Sequence, residues 1–131
     1  MLKKYNVRRD CFVRNQKLCQ STEFSRSLCQ NRSNVIIGGM LWLKMQNRSV
    51  DTAIDLCDLN LNHIEDKGDE IHIGAMVSLR ELELNSILDQ YTYGAMKESV
   101  HNIVGVQFRN LATVGGSLFG RYGFSDVLEE M

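Results

Sequence analysis

The stretch NVIIGGMLWLKM, residues 34 to 45, decides the fold of this chain. The β-branched run Asn34–Ile37 predicts a short buried strand, which the glycine pair Gly38-Gly39 ends abruptly. Leu41–Met45 then predicts a single helical turn. The start of a helix offers backbone N–H groups without acceptors, so this arrangement is a candidate cradle for an anion such as a diphosphate. On its own, however, a double glycine after a strand is more often only a tight turn.

The residues that follow alternate between strand and helix signals. Residues 52–56 predict a second strand beside the first, and a hairpin is expected around the turn Asp66-Lys67-Gly68-Asp69. The sequence Ser78-Leu79-Arg80-Glu81 fits a capping box that opens a helix through Leu84. Helices are also expected at 21–28, at 87–104 as one longer stretch and from 125 onward, with a short strand at 5–7. The pattern as a whole predicts an α+β fold.

A second glycine pair occurs in Thr113-Val114-Gly115-Gly116-Ser117 and is interpreted as the same strand, glycine, glycine form. Thr113 and Ser117 add hydroxyl groups that can bond phosphate or ribose oxygens. Neither pair belongs to a Gly-x-Gly-x-x-Gly motif or precedes Gly-Lys-Ser or Gly-Lys-Thr, which argues against Rossmann and P-loop chemistry. Two separate loops that close on one extended dinucleotide remain as the interpretation.

Composition and charge narrow the class of protein. The chain has 131 residues, 44% hydrophobic and 24% charged, with a net charge of −1. No apolar run approaches the roughly 18 to 20 residues that cross a bilayer, and no secretory signal is evident, so a soluble cytoplasmic protein is expected. Residues 1–32 carry eight Lys or Arg and two acidic residues. This basic arm has few aromatic residues, so we expect a solvated or partner-facing surface rather than nucleic-acid binding.

Metal and nucleophile chemistry are not expected from the sequence. The four cysteines form no Cys-x-x-Cys pair, and the three histidines are far apart in the later chain. We therefore expect reduced, partly buried thiols and no metal site. No Ser–His–Asp or Cys–His arrangement is recognisable, so no catalytic side chain is predicted. The four cysteines are Cys11, Cys19, Cys29 and Cys57.

Three ordered segments resemble a known family. VIIGGMLWLKM (35–45), IHIGAMVSLRELE (71–83) and QFRNLATVGGSLFGRYGFSD (107–126) look like signatures of the FAD-binding subunits of molybdenum hydroxylases, the xanthine dehydrogenase and carbon monoxide dehydrogenase group. Their order and separation also agree with that family. The resemblance implies a flavin cofactor, FAD, held by an FAD-binding fold of the vanillyl-alcohol-oxidase (PCMH) type. In such a fold, two subdomains clasp the cofactor.

The resemblance also implies site residues and boundaries. The first subdomain would cover residues 21–57 and the second residues 58–131, the latter incomplete, after a divergent basic segment at 1–20. The first loop would wrap the diphosphate, the second would contact the diphosphate and the flavin side, and Asp126 would lie near the ribityl chain. The first loop comprises Ile37, Gly38, Gly39, Met40, Leu41 and Trp42, and the second comprises Thr113, Val114, Gly115, Gly116 and Ser117.

The family's electron path belongs to the same implication. The flavin would receive electrons from the iron–sulfur clusters that drain a molybdenum centre and would pass them to NAD+ or another acceptor. The implied partners are an iron–sulfur subunit and a molybdenum-cofactor subunit. The family's subunits continue beyond residue 131, so a marginally stable fragment with weakened FAD affinity is expected. An alternative is an inactive remnant that serves only as a protein-interaction module. For Arg109, a structural ion pair or a role in holding the Thr113 loop is favoured over ligand binding.

Overall fold

The structure is a computed structural model that describes residues 5–6, 33–47 and 49–120. The predicted helices at 21–28 and from 125 onward lie outside these residues, as does Asp126. The chain divides into two compact units, Met1–Leu59 and Asn60–Met131. Helices and strands are mixed along the described residues, in agreement with the predicted α+β composition.

The first unit contains a strand–helix–strand arrangement with parallel strands. Strand β2 (Asn34–Ile37) pairs in parallel with β4 (Thr52–Asp55), and helix α1 (Leu41–Met45) lies between them in sequence. The sequence predictions for these three elements are confirmed. Buried Ile37 and Ile54 explain why β-branched residues dominate the pair. The unit also has β1 (Tyr5–Asn6) antiparallel to β3 (Ser49–Val50), and a 3₁₀ turn at Cys57–Leu59.

The second unit begins with the predicted hairpin. Strands β5 (Ile64–Asp66) and β6 (Ile71–Ile73) are antiparallel, with Glu65 opposite His72. Gly68 supplies the left-handed residue of the turn at φ 91°. Each of the two paired strands spans three residues.

Five short helices follow the hairpin. The first, α2, has the predicted capping box: the Ser78 hydroxyl accepts from the Glu81 amide at 3.1 Å, and the Glu81 carboxylate accepts from the Ser78 amide at 2.7 Å. Both donors at the helix start are thereby satisfied. The helices are α2 (Leu79–Leu84), α3 (Ser86–Tyr91), α4 (Ala95–His101), α5 (Val106–Leu111) and α6 (Val114–Gly120).

The prediction of one helix over residues 87–104 is wrong. The chain forms α3 and α4 instead, because Tyr93 (φ 53°) and Gly94 (φ 86°) both take left-handed conformations between them. Val104, expected on the helix's apolar face, lies beyond α4 at φ 49° and is 77% exposed. The spacing of the apolar residues was therefore wrongly taken as one helix, although Gly94 allows the chain to break there.

The interpretation of residues 113–117 as a strand followed by a glycine turn is also wrong. Thr113 makes one isolated antiparallel bridge with Ser78, and the glycines lie in the first turn of α6. A helix, α5, precedes the bridge instead of a strand. The N–H groups at a helix start need acceptors, and the sequence here supplies Thr113 as the capping residue.

The core of the second unit is formed mainly by its helices. Leu79 and Leu82 of α2 are almost fully buried, and Val100 of α4 is completely buried. The hairpin isoleucines pack against this cluster from outside. The cluster consists of Val77, Leu79, Leu82, Leu88, Met96, Val100 and Val114.

Two kinds of feature are absent from the described residues. No helix among them is long and apolar enough to cross a membrane. Likewise, no group of three or more His, Cys, Asp or Glu side chains in the described part of the chain could hold a metal ion.

Candidate functional site: two cofactor-binding segments

The first candidate segment runs from Ile37 to Trp42 and joins β2 to α1. Ile37 is buried, whereas Gly38, Gly39 and Met40 are partly exposed. Met40 takes the left-handed conformation (φ 58°, ψ 12°), and its carbonyl accepts from the Lys44 amide at 3.0 Å. This sharp bend turns the chain directly from the strand into the helix.

Helix α1 begins at Leu41, and Trp42 is its second residue. The amides of these two residues have no acceptor inside the helix, because the first amide that reaches a carbonyl four positions back is that of Lys44. The Met40 side chain does not cap the helix. The segment therefore provides what a diphosphate needs, namely N–H groups at a helix start beside two small residues.

The strand register places this segment at the carboxyl edge of a parallel pair. Ile37 is opposite Asp55, so the residues after both strands emerge at the same edge. Ligands of open parallel sheets bind at that edge. Asp55 itself is engaged locally: its Oδ1 accepts from the Cys57 amide at 2.9 Å. The same carboxylate raises the pKa of the exposed Cys57 thiol by hydrogen bonding to it, and partial burial adds to the shift.

The second candidate segment, Thr113 to Ser117, begins α6. The Thr113 hydroxyl accepts from the Gly116 amide at 3.2 Å, and the Thr113 carbonyl accepts from the Ser117 amide at 3.0 Å. The Thr113 side chain is thus an N-cap, which accounts for its burial.

Residues 75–79 hold this second segment by backbone hydrogen bonds. The Val114 amide donates to the Val77 carbonyl at 2.9 Å, and the Gly115 amide donates to the Ala75 carbonyl at 2.8 Å. A Cβ atom on Gly115 would lie 2.8 Å from that same Ala75 oxygen. Gly115 is therefore required for the close approach of two backbones.

This pairing changes what the second segment can offer a ligand. The glycine pair in the sequence predicted amides free to bind phosphate, but the amides of 114–117 all donate within the protein. Gly116 is exposed, and within residues 33–47 and 49–120 the partly exposed Ser117 hydroxyl has no hydrogen-bond partner. The groups left for a ligand are this hydroxyl and the open backbone surface at Gly116.

The structure brings together two of the three sequence signatures. The segments 71–83 and 107–126 meet through the bonds between residues 75–79 and 112–115, including one from the Leu79 amide to the Ala112 carbonyl at 2.9 Å. The first segment lies in the other compact unit.

The second unit also contains a buried ion cluster that the sequence did not predict. The Glu83 side chain is only 4% exposed and contacts Arg109 Nε through Oε2 at 2.8 Å. Its Oε1 contacts Arg80 at 2.7 Å and His101 Nδ1 at 3.1 Å. The Arg109 guanidinium also donates to the Ile103 carbonyl at 3.1 Å. The structural ion pair expected for Arg109 is thus confirmed.

The ion cluster strongly favours the charged form of Glu83. The hydrogen bond from Arg80 is the largest cause, and His101 and Arg109 add to it against the opposing effect of burial; together they lower the pKa of Glu83 to about 2. The Arg80–Glu83 spacing could have been recognised on a helix face. The other two partners could not, because they are 18 and 26 residues away in sequence.

Comparison with known proteins identifies the family. Residues 6–130 match the family described as the FAD binding domain in molybdopterin dehydrogenase. The match covers nearly the whole chain, so the protein belongs to this family of flavin-binding domains, and FAD is its cofactor.

Solved structures show the same fold. Quinoline 2-oxidoreductase from Pseudomonas putida 86 matches with a TM-score of 0.66 at 20% identity, over 76% of this chain and 36% of that one. Carbon monoxide dehydrogenase from Hydrogenophaga pseudoflava matches with a TM-score of 0.62 at 24% identity, over 73% of this chain and 35% of that one. Reconstituted CO dehydrogenase from Oligotropha carboxidovorans matches with a TM-score of 0.59 at 24% identity, over 65% of this chain and 31% of that one. The chain thus spans about a third of the solved chains. The comparison with curated proteins finds no match.

Proposed function

We propose that the protein is the FAD-binding module of a molybdopterin-dependent dehydrogenase and relays electrons from iron–sulfur clusters through the flavin to NAD+ or another acceptor. The observation that carries the proposal is the glycine pair Gly38-Gly39, which joins β2 to α1 at the carboxyl edge of a parallel strand pair. The family match over residues 6–130 supports the FAD diphosphate as the ligand of the N–H groups at this helix start.

The two segments have different roles in this proposal. The first, Ile37 to Trp42, donates amides to the diphosphate. The second, Thr113 to Ser117, contacts the diphosphate and the flavin side through the Ser117 hydroxyl and the Gly116 backbone, because its amides are already paired. Asp126 is proposed to lie near the ribityl chain. The corresponding architecture is a PCMH-type fold with subdomains at 21–57 and 58–131.

The chemistry would come from the cofactor, since the bound isoalloxazine ring carries the electrons. The protein's residues bind FAD, fix its orientation and exclude water, and none is proposed to be catalytic. The proposed partners are an iron–sulfur subunit and a molybdenum-cofactor subunit. A cytoplasmic location is proposed as well, and the free thiol of Cys57 is in keeping with a reducing compartment.

A second candidate function is a protein-interaction module without flavin. Several large apolar side chains of the second unit favour it because they are exposed: Leu84 is 65% exposed, Tyr93 98% and Phe119 85%. Exposed apolar side chains mark a surface that a partner covers where they form one contiguous patch.

Flavin content distinguishes the two functions. The full chain would be expressed together with iron–sulfur and molybdenum-cofactor subunits, then purified alone and as a complex. The proposed function predicts a yellow protein that releases FAD on denaturation. Capture of the partner subunits by a chain that neither retains nor rebinds FAD would favour the interaction module instead.

A further inference from the structure

We propose that the buried Glu83–Arg109 pair is a positioning device for the second cofactor-binding segment, and that FAD affinity depends on it. The inference rests on the proposed function, and it assigns a role to side chains that do not touch the cofactor.

The buried pair connects two helices of the second unit. Glu83 lies on α2 and Arg109 on α5, both side chains are about 95% buried, and their contact measures 2.8 Å. The Arg109 guanidinium continues to the Ile103 carbonyl, ahead of α5. A planar guanidinium held at two points fixes the helix that carries it more firmly than a single point charge does.

The pair lies close in sequence to the second cofactor-binding segment. Helix α5 ends at Leu111, and Thr113 follows two residues later. The Ala112 carbonyl between them accepts from Leu79, the first residue of α2. The stretch from Arg109 to Val114 is thus fixed to α2 by a side chain at one end and by backbone bonds at the other.

Different groups of the second segment fix its position and contact the ligand. The amides of 114–117 are occupied by protein acceptors, so they fix the position of the segment and leave ligand contact to Ser117 and Gly116. Groups that hold a binding surface must keep it within roughly 0.5 Å of its working position. Loss of the buried pair frees α5 at the end nearest this surface.

The test compares binding of FAD and ADP to the full chain and its variants. Arg109→Met removes the guanidinium, whereas Arg109→Lys keeps the charge. Leu88→Ala is the matched control: it empties a buried core position on α3, whose main neighbours are α2 and α4, and costs stability on a similar scale. All titrations are run where circular dichroism shows the native helix content.

Arg109→Met is expected to weaken FAD binding about tenfold and ADP binding by less, because the first segment also holds the diphosphate. Arg109→Lys should recover part of the loss, and Leu88→Ala should leave FAD affinity near that of the wild type. Unchanged FAD affinity in Arg109→Met, or an equal loss in Leu88→Ala, would overturn the inference. A wild-type chain that binds neither FAD nor ADP would instead overturn the proposed function itself.

Discussion

At the scale of single residues, Glu83 is the centre of a buried ion cluster in the second unit. One buried carboxylate contacts two arginines and the His101 ring, which come from three helices, and Arg80 contributes most to stabilising its charge. Removal of one partner from such a cluster leaves charge buried without compensation, which costs far more than an exposed ion pair gains. The cluster therefore makes the arrangement of α2, α4 and α5 dependent on the ionisation of a single side chain.

The first prediction concerns the pH dependence of stability. The pKa of Glu83 falls from 4.5 to about 2 on folding, so its contribution is complete above about pH 4.5 and is lost as the pH falls towards 2. Urea unfolding between pH 5 and pH 2 should show the free energy of unfolding declining through this window. In Glu83→Gln the decline should be shallower, since glutamine does not titrate. Equal slopes for both proteins would contradict the assignment.

The second prediction separates the two glycines of the second segment. Gly115→Ala should destabilise the protein by about 1 to 3 kcal/mol, because the new methyl group would press on the Ala75 backbone. Gly116→Ala should cost less, since a Cβ atom there would meet only a side-chain atom, the Thr113 hydroxyl oxygen at 3.0 Å, and alanine favours a helix. Thermal unfolding of both variants measures the difference. A larger loss for Gly116→Ala would show that the segment packs differently.

At the scale of elements, local sequence signals were sufficient where the interaction is local. The strand Asn34–Ile37, the turn at Gly68 and the capping box at Ser78 were predictable because each depends on residues within about four positions. The break between α3 and α4 was not, because Gly94 in a helical pattern is compatible with either continuation or termination. Thr113 was likewise ambiguous between a strand residue and a helix cap.

The third prediction tests the strain at the end of α4. Val104 is β-branched, exposed and left-handed, a conformation that costs an L-residue roughly 1 to 2 kcal/mol. Val104→Gly should therefore raise the free energy of unfolding by about 1 kcal/mol. The control is Val106→Gly, at the first residue of α5, which should lower it because glycine is unfavourable in a helix. Destabilisation by both substitutions would contradict the left-handed assignment.

At the scale of the whole molecule, the family was accessible from sequence and the details of the site were not. Three ordered segments identified a flavin-binding domain, and the family match over residues 6–130 confirms it. The bonds that occupy the Val114 and Gly115 amides could not be predicted, because their acceptors are the carbonyls of Val77 and Ala75, about forty positions away. The same applies to the partners of Glu83. Both depend on tertiary pairing that no local pattern records.

The central claim is that the glycine pair at the end of β2 presents backbone amides to the FAD diphosphate. It is tested most directly by titrating FAD, through its fluorescence, into the wild-type chain, Gly39→Asp and Asn62→Asp. Asn62 is exposed and belongs to neither candidate segment, so the control adds the same charge elsewhere in the chain. We predict that Gly39→Asp weakens FAD binding by at least about a hundredfold, an effect on the scale of a buried charge repulsion, while Asn62→Asp binds like the wild type. Equal FAD affinity in all three proteins would contradict the account.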